Sequence, residues 1–138
     1  MKTDLHLAFP GTCNEAFGFY EETFGSKRGI SMTFGDAPGG SPVPEEAKDQ
    51  IMYTSMPLGS MLLMGGDDPG RTSALGGFRV SILLEDVAEV NRLFAALSAG
   101  GSVDMPLAKT FWSPLFGACT DKFGVGWMVG VPGTIRSE

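Results

Sequence analysis

Two amphipathic segments that lie 74 positions apart constrain the fold of this chain more than any other feature. In residues 12–24 the apolar side chains recur at helical intervals, Thr12 begins a capping-box pattern, and Gly25 follows the last turn. Residues 86–99 repeat the arrangement, with Asp86 as the predicted N-cap and a glycine pair after the last turn. Because one shift superposes both the caps and most of the apolar stripe, the pattern indicates an internal duplication.

One strand-like run precedes each predicted helix, and three follow it. The runs are residues 5–9, 29–34, 51–56 and 60–64 in the first half, and residues 78–85, 103–110, 115–120 and 125–129 in the second. Each half is therefore a βαβββ module. One helix covers only one face of a sheet, so we expect the modules to pair into a curved mixed sheet around a shared cleft. The sequence predicts an α+β fold and a single domain over residues 1–138, with halves 1–66 and 77–132.

Composition argues against several classes of partner. The 138 residues carry sixteen acids against ten bases, a formal charge of −6, with no basic run. Such a chain lacks the basic patch that binds nucleic acid or an anionic membrane, so we expect neither as a partner. Membrane-spanning and signal-peptide patterns are missing from the sequence, so we expect a cytoplasmic protein. Cys13 and Cys119 lie far apart without metal-type spacing, which predicts two reduced thiols.

Several runs of residues resemble a known superfamily. The first is GTCNEAFGFY at residues 11–20, with Phe24 and Gly25 after it. The second half contributes RLFAALS at 92–98 with GG at 100–101, MPL at 105–107 with TFW at 110–112, and FG at 116–117 with TDKFGV at 120–125 and WM at 127–128. These runs resemble the vicinal oxygen chelate superfamily, which includes glyoxalases, extradiol dioxygenases and bleomycin-type resistance proteins, and within it the PhnB-like branch. The resemblance implies a glyoxalase/bleomycin-resistance-like fold and a homodimer, but it does not specify an activity.

In the catalytic members of that superfamily, His, Glu or Gln side chains on the first and last strands of each half hold a divalent metal. His6 is the only histidine of this chain, and it falls where the first of these ligands would be. The other three positions offer neither an imidazole nor a carboxylate. They fall among Arg79, Val80 and Ser81, among Leu62, Leu63 and Met64, and among Trp127, Met128 and Val129. Since a metal site needs three or four protein ligands, we expect no metal and no other cofactor.

His6, Arg79 and Ser81 are the candidate polar groups of the cleft. His6 alternates with apolar neighbours on its strand, so it is read as a hydrogen-bonded lining residue, a ligand contact or, as the one catalytic candidate, a general base. Arg79 and Ser81 share one face of their strand. Arg79 either clamps an anionic group of a ligand, or faces solvent, or pairs with an acid such as Glu85 or Asp86.

Aromatic and thioether side chains of the second half predict an apolar lining. We expect Phe111, Trp112, Trp127 and Met128 to contact a flat apolar ligand, although core packing alone also explains such side chains. The tryptophans are favoured because a buried indole without a hydrogen-bond partner is costly, and a cavity relieves that cost.

Two loops fall outside the repeat. Residues 36–49 are rich in proline, glycine and acids, which predicts a mobile excursion that is either a linker or a segment that closes over a ligand. Residues 65–77 join the halves and contain Asp67 and Asp68. We interpret this acidic pair as a solvated turn rather than a cation site, because no further acids stand at fixed spacing.

The sequence therefore predicts a homodimeric, PhnB-like protein that binds a small apolar or aromatic ligand without a metal. The alternative is a metal-dependent lyase, isomerase or oxygenase of the glyoxalase and dioxygenase type that uses His6, with its other ligands displaced by a strand register. A third reading is a subunit or adaptor whose cavity is filled by its own side chains. No nucleophile or phosphate-loop motif supports other chemistry.

Overall fold

The computed structural model describes residues 1–40, 43–70 and 75–133. The chain divides into two compact units, Met1–Ser73 and Ala74–Glu138, and each unit contains one sheet and one α-helix. The predicted halves, 1–66 and 77–132, each fall within one unit. That the two units form a single domain stays a prediction.

The first unit has the predicted order of elements. These are β1 (Leu5–Phe9), α1 (Cys13–Phe24), β2 (Ser31–Thr33), β3 (Ile51–Leu58) and β4 (Met61–Asp67), with short 3-10 turns at Phe34–Asp36 and Glu45–Ala47. The strands are ordered β1-β4-β3-β2 across the sheet. The β1 and β4 strands run parallel, and the other two pairs are antiparallel.

The second unit repeats this topology. Its elements are β5 (Val80–Leu83), α2 (Val87–Ser98), β6 (Ser102–Ala108), β7 (Phe116–Thr120) and β8 (Gly126–Gly130). The sheet order is β5-β8-β7-β6, again with one parallel pair and two antiparallel pairs. The duplicated βαβββ module and the α+β class are therefore confirmed. No helix in the described parts of the chain is long and apolar enough to cross a membrane.

Most differences from the predicted boundaries arise at turns. The β3 and β4 strands are longer than predicted, because a tight hairpin brings Leu58 opposite Met61 and Gly59 adopts a positive φ of 58° at its tip. The β2 strand is shorter than predicted because its pairing with β3 shifts register after Met32. The β5 strand begins only at Val80.

One face of each sheet is covered by the helix of its own unit. In the first unit, a Cβ added to Gly65 would lie 2.5 Å from the Phe17 ring of α1. In the second, a Cβ on Gly117 would lie 2.8 Å from the Phe94 ring of α2. Both glycines therefore belong to helix-covered faces, and alternate residues point to the opposite side. We call the sides that point away from the helices the first open face and the second open face.

The N-terminus of α1 is capped by a residue distant in sequence. Thr12 is the N-cap, but its side chain makes no capping hydrogen bond, so the predicted capping box is wrong. Instead Asp67, at the end of β4, accepts the N–H groups of Gly11 at 3.1 Å and Cys13 at 2.9 Å through Oδ1. Its Oδ2 accepts the Ile51 N–H at 2.9 Å. Because Asp67 is only 8% exposed, its interpretation as part of a solvated turn is also wrong.

The predicted cap of α2 is confirmed, because Asp86 accepts the N–H of Ala88 at 2.9 Å.

The predicted excursion at 36–49 is held at both ends more firmly than its composition suggests. The N–H groups of Phe34 and Gly35 donate to the main-chain oxygens of Gln50 and Lys48, and Ala47 is 3% exposed. Residues 41 and 42 of that segment lie outside the described residues.

Candidate functional site

The first open face places His6 between apolar and hydroxyl side chains. His6 is exposed on β1, beside Met64 of β4, and Met64 in turn pairs with Ser55 of β3. Residues two positions away along these strands share the face, which adds Ala8 and Tyr53. The predicted alternation of β1 is confirmed, since Leu7 and Phe9 are buried on the helix-covered side. His6 forms no hydrogen bond with another described residue.

The second open face places Ser81 beside Met128. Ser81 is exposed, and Met128 is partly buried. Arg79 lies at one end of the same face, above Gly126, where an added Cβ would come within 3.0 Å of the Arg79 Cγ. Since Gly126 has no side chain, the arginine can extend across the sheet from the β5 side toward β6.

Arg79 is bonded to the protein itself. One guanidinium N–H donates to the Cys119 carbonyl at 2.8 Å, and another donates to Asp104 of β6 at 2.9 Å. Asp104 also accepts the hydroxyls of Thr120 at 2.7 Å and Ser102 at 3.2 Å. These bonds, led by that of Thr120 and followed by that of Arg79, hold the pKa of the Asp104 carboxyl below its usual value.

This network answers one question left open by the sequence. Arg79 forms its ion pair with Asp104 rather than with Glu85 or Asp86. The Arg79 side chain remains 34% exposed, so it still presents a surface to the open face.

The predicted aromatic lining separates into two groups. Phe111 is 83% exposed and Trp112 is partly buried, and their rings meet edge to face at a centroid distance of 4.8 Å. The Trp112 ring also meets the Phe116 ring edge to face, at a centroid distance of 5.4 Å. Trp127 differs, because it is 0% exposed on the helix-covered side and its Nε1–H donates to Asp121 at 2.9 Å. The indole has a hydrogen-bond partner, which removes the reason for assigning Trp127 to a cavity.

The residues do not fit the metal that the superfamily implies. On the open faces, the first and last strands carry His6 and Ala8 on β1, Leu62, Met64 and Gly66 on β4, Ser81 and Leu83 on β5, and Gly126, Met128 and Gly130 on β8. Among these, His6 alone has a side chain that ligates divalent zinc, nickel, manganese or iron well. One carboxylate, that of Asp4, lies just before β1, but it accepts the Leu62 N–H at 2.9 Å and pairs with Lys2.

A shift of strand register would not restore the ligand set. The helix-covered sides of the same four strands carry one carboxylate, Asp67, and both of its oxygens already accept main-chain N–H groups. Across the described residues, no three His, Cys, Asp or Glu side chains come close enough together to hold a metal ion. The donor set therefore does not match a three- or four-ligand site.

The two cysteines are free and buried. Burial raises the pKa of the Cys13 thiol to about 12 and that of the Cys119 thiol to about 11, and nearby carboxylates act in the same direction. Because the thiolate is the reactive form, neither cysteine has the environment of a nucleophile.

The duplicated module and its sheet topology define the class of protein. The family model of the Glyoxalase/Bleomycin resistance protein/Dioxygenase superfamily matches residues 5–129, and the chain belongs to this superfamily. The sequence is 31% identical to Protein YjdN of Escherichia coli over 143 residues, covering 95% of each chain. Its fold is similar to that of protein PA1353 from Pseudomonas aeruginosa, with 40% identity, a TM-score of 0.85 and coverage of 96% and 98% of the two chains.

A PhnB protein from Bacillus cereus has the same fold, with a TM-score of 0.80 at 22% identity and coverage of 95% of this chain and 99% of that one. The predicted superfamily and its fold are therefore confirmed, and the PhnB-like branch stays a prediction.

Sequence reasoning missed Ser55, Tyr53 and Asp104. The hairpin turn at Gly59 could have located Ser55, since counting back from the turn places it opposite Met64 and hence on the face of His6. No such local signal identifies Asp104, which reaches Arg79 over 25 positions of sequence.

Proposed function

We propose that this protein binds a small, mostly apolar or aromatic molecule on its open sheet faces without the help of a metal. The observation that carries the proposal is the donor set of the first and last strands, in which His6 is the only side chain suited to a divalent ion. Methionines beside it supply adaptable apolar contact.

The proposed ligand contacts are His6 and Met64 on the first open face, and Ser81 and Met128 on the second. Phe111, Trp112 and Arg79 extend the second face. Phe111 and Trp112 are exposed and partly buried aromatic rings, and Arg79 keeps part of its guanidinium accessible. Trp127 is left out because it packs on the helix-covered side.

The test is the metal content of natively purified protein, followed by equilibrium dialysis against nickel, zinc, manganese and iron. We expect well below one metal ion per chain before and after dialysis. One ion per chain that is lost in His6→Ala and kept in Ser81→Ala would overturn the proposal. That result would favour the metal-dependent glyoxalase or dioxygenase type of enzyme, and activity assays with the bound metal would follow.

The proposal includes a homodimer in the cytoplasm. Exposed apolar side chains support association, and those of the second unit include Phe78, Val103, Met105 and Phe111. Two free cysteines are consistent with a reducing compartment. Light scattering during size-exclusion chromatography should give twice the 14.6 kDa chain mass, and a monomer at micromolar concentration would contradict the dimer.

A further inference from the structure

Three polar side chains on the first open face lack a hydrogen-bond partner within the described part of the chain. They are His6, Ser55 and Tyr53, and none of them forms a bond with another described residue. Ser55 and His6 flank Met64 in one row across three strands. Tyr53 lies two positions before Ser55, about 7 Å along the same strand, so both hydroxyl groups serve one side of the sheet.

Ser55 gives the strongest evidence of the three because it is the most buried. The residue is 8% exposed, so its hydroxyl is largely removed from water without gaining a partner from the protein. Among the described residues, the only fully enclosed side-chain oxygen or nitrogen that lacks a bond is Oε1 of Gln50. The Ser55 hydroxyl therefore still reaches the open face, where a ligand group can satisfy it.

The surroundings of these hydroxyls are small or apolar. Ala8 and Gly66 pair with each other and carry almost no side chain, and the Met52 main-chain oxygen closes the space above Gly66 at 2.6 Å from the position of a Cβ. Met32 pairs with Tyr53, and Met64 lies between Ser55 and His6. Thioethers of this kind adapt to the flat surface of an aromatic ring.

The charge on this face argues against an anionic ligand. Asp4, the charged residue just before β1, is negative, and its oxygens face the Leu62 N–H and the Lys2 ammonium. The arginine that could bind an anion, Arg79, belongs to the second unit and is already paired with Asp104. The cation closest in sequence to β1, Lys2, lies 3.8 Å from the Asp4 carboxylate, so a ligand carboxylate or phosphate would have to compete with Asp4 for it.

We infer that the first open face recognises an uncharged aromatic ligand that carries one hydrogen-bonding group, such as a hydroxyl or a carbonyl. Ser55 and Tyr53 hold that group and are the specificity-determining residues, and His6 supplies a third contact beside them. This inference rests on the proposed function, because it names the class of ligand for the same metal-free site.

The test uses phenol, toluene and benzoate as probes in isothermal titrations and in NMR spectra of the full chain. Phenol should bind more tightly than either toluene or benzoate. Ser55→Ala and Tyr53→Phe should each lower the affinity for phenol about fivefold, which is the loss expected for one hydrogen bond. The affinity for toluene should stay unchanged. Ser60→Ala, which removes an exposed hydroxyl from the turn between β3 and β4, is the matched control and should leave phenol affinity unchanged.

Equal affinity for phenol and toluene, insensitive to both variants, would overturn the inference and leave the proposed function standing. A preference for benzoate would also overturn it, because it would point to a cation on this face. No binding of phenol or toluene at any accessible concentration would overturn the proposed function along with the inference. If either Ser55→Ala or Tyr53→Phe fails to fold, the other variant still tests the inference.

Discussion

The two units have the same βαβββ backbone, yet their open faces use polar side chains in opposite ways. On the second open face, Arg79, Asp104 and Thr120 bond to one another and reach from one edge of the sheet to the other. On the first, His6 and Ser55 have no partner within the described residues and flank a methionine. The duplicated units thus share one topology but differ in these two surfaces: one carries a bonded polar network, and the other carries polar side chains without a partner in the described residues.

Glycine positions explain how one backbone permits both surfaces. On the second open face, Gly126 lets Arg79 lie flat across β8, and the Phe116 ring fills the space above Gly130. On the first, the main chain closes the space above Gly66, because a Cβ added there would lie 2.6 Å from the Met52 main-chain oxygen. Side chains therefore lie over the glycines of the second face, whereas main chain lies over Gly66 on the first.

The largest expected effect comes from the buried aspartates, one in each unit. Asp67 joins α1, β3 and β4, whereas Asp121 accepts the Phe123 and Val125 N–H groups of its own turn and the Trp127 indole. Asp67→Ala should lower the free energy of unfolding by about 3 kcal/mol, because two buried N–H groups and one partly buried N–H group lose a charged acceptor. Asp121→Ala should cost about 2 kcal/mol, since two of its donors lie in a local turn.

Urea unfolding followed by circular dichroism measures both values. Asp68→Ala, which alters the exposed neighbour of Asp67, is the control and should stay within about 0.5 kcal/mol of the natural protein. If Asp67→Ala unfolded no more easily than this control, the capping role of the β4 carboxylate would be wrong.

A smaller effect is expected from glycines that admit a neighbouring side chain. Gly65→Ala should cost about 2 kcal/mol, because the new Cβ would lie 2.5 Å from a core ring of Phe17. Gly126→Ala should cost about 1 kcal/mol, because the new Cβ would meet the flexible Arg79 side chain at 3.0 Å and the Phe78 main-chain oxygen at 3.1 Å. Thermal unfolding of the two variants would rank them, and the reverse order would show that Gly126 is the more tightly packed position.

The Asp104 network makes a prediction about pH. Because its hydrogen bonds lower the pKa of Asp104 in the folded protein, its contribution to stability is present above the ordinary carboxyl pKa. That contribution is lost as the pH falls through the lowered value. Carbon NMR of the carboxyl should follow this titration, and the midpoint should rise in Thr120→Val and in Arg79→Gln. An unchanged midpoint in both variants would mean that the bonds do not form in solution.

The smallest expected difference between the units concerns their thiols. Burial raises the pKa of Cys13 to about 12 and of Cys119 to about 11, so both should react slowly with a disulfide reagent in the folded protein and rapidly in denaturant. Comparison of Cys13→Ser with Cys119→Ser should show that Cys119 reacts first. Fast reaction of Cys13 in the folded protein would contradict the burial of α1 against its sheet.

Local patterns predicted the scaffold well, whereas contacts between distant residues remained hidden. The stripe of α2 and its Asp86 cap lie within one run of sequence, so periodicity was sufficient to predict them. The cap of α1 comes from Asp67, 54 positions beyond Cys13, and no local spacing indicates it. Strand alternation correctly separated His6 from Leu7 and Phe9. Asp121 accepts the Trp127 indole N–H only because the turn between β7 and β8 brings the two residues together, and periodicity does not predict that contact.

Addition of manganese(II) to protein with carbon-13-labelled methionine methyl groups tests the central claim most directly. Met64 lies beside His6 and Met128 lies beside Ser81, so a paramagnetic ion held at either position would broaden the adjacent methyl signal. Because neither position should hold a metal ion, both signals should keep their linewidths at one equivalent of manganese. Selective broadening of the Met64 signal, abolished by His6→Ala, would contradict a metal-free site.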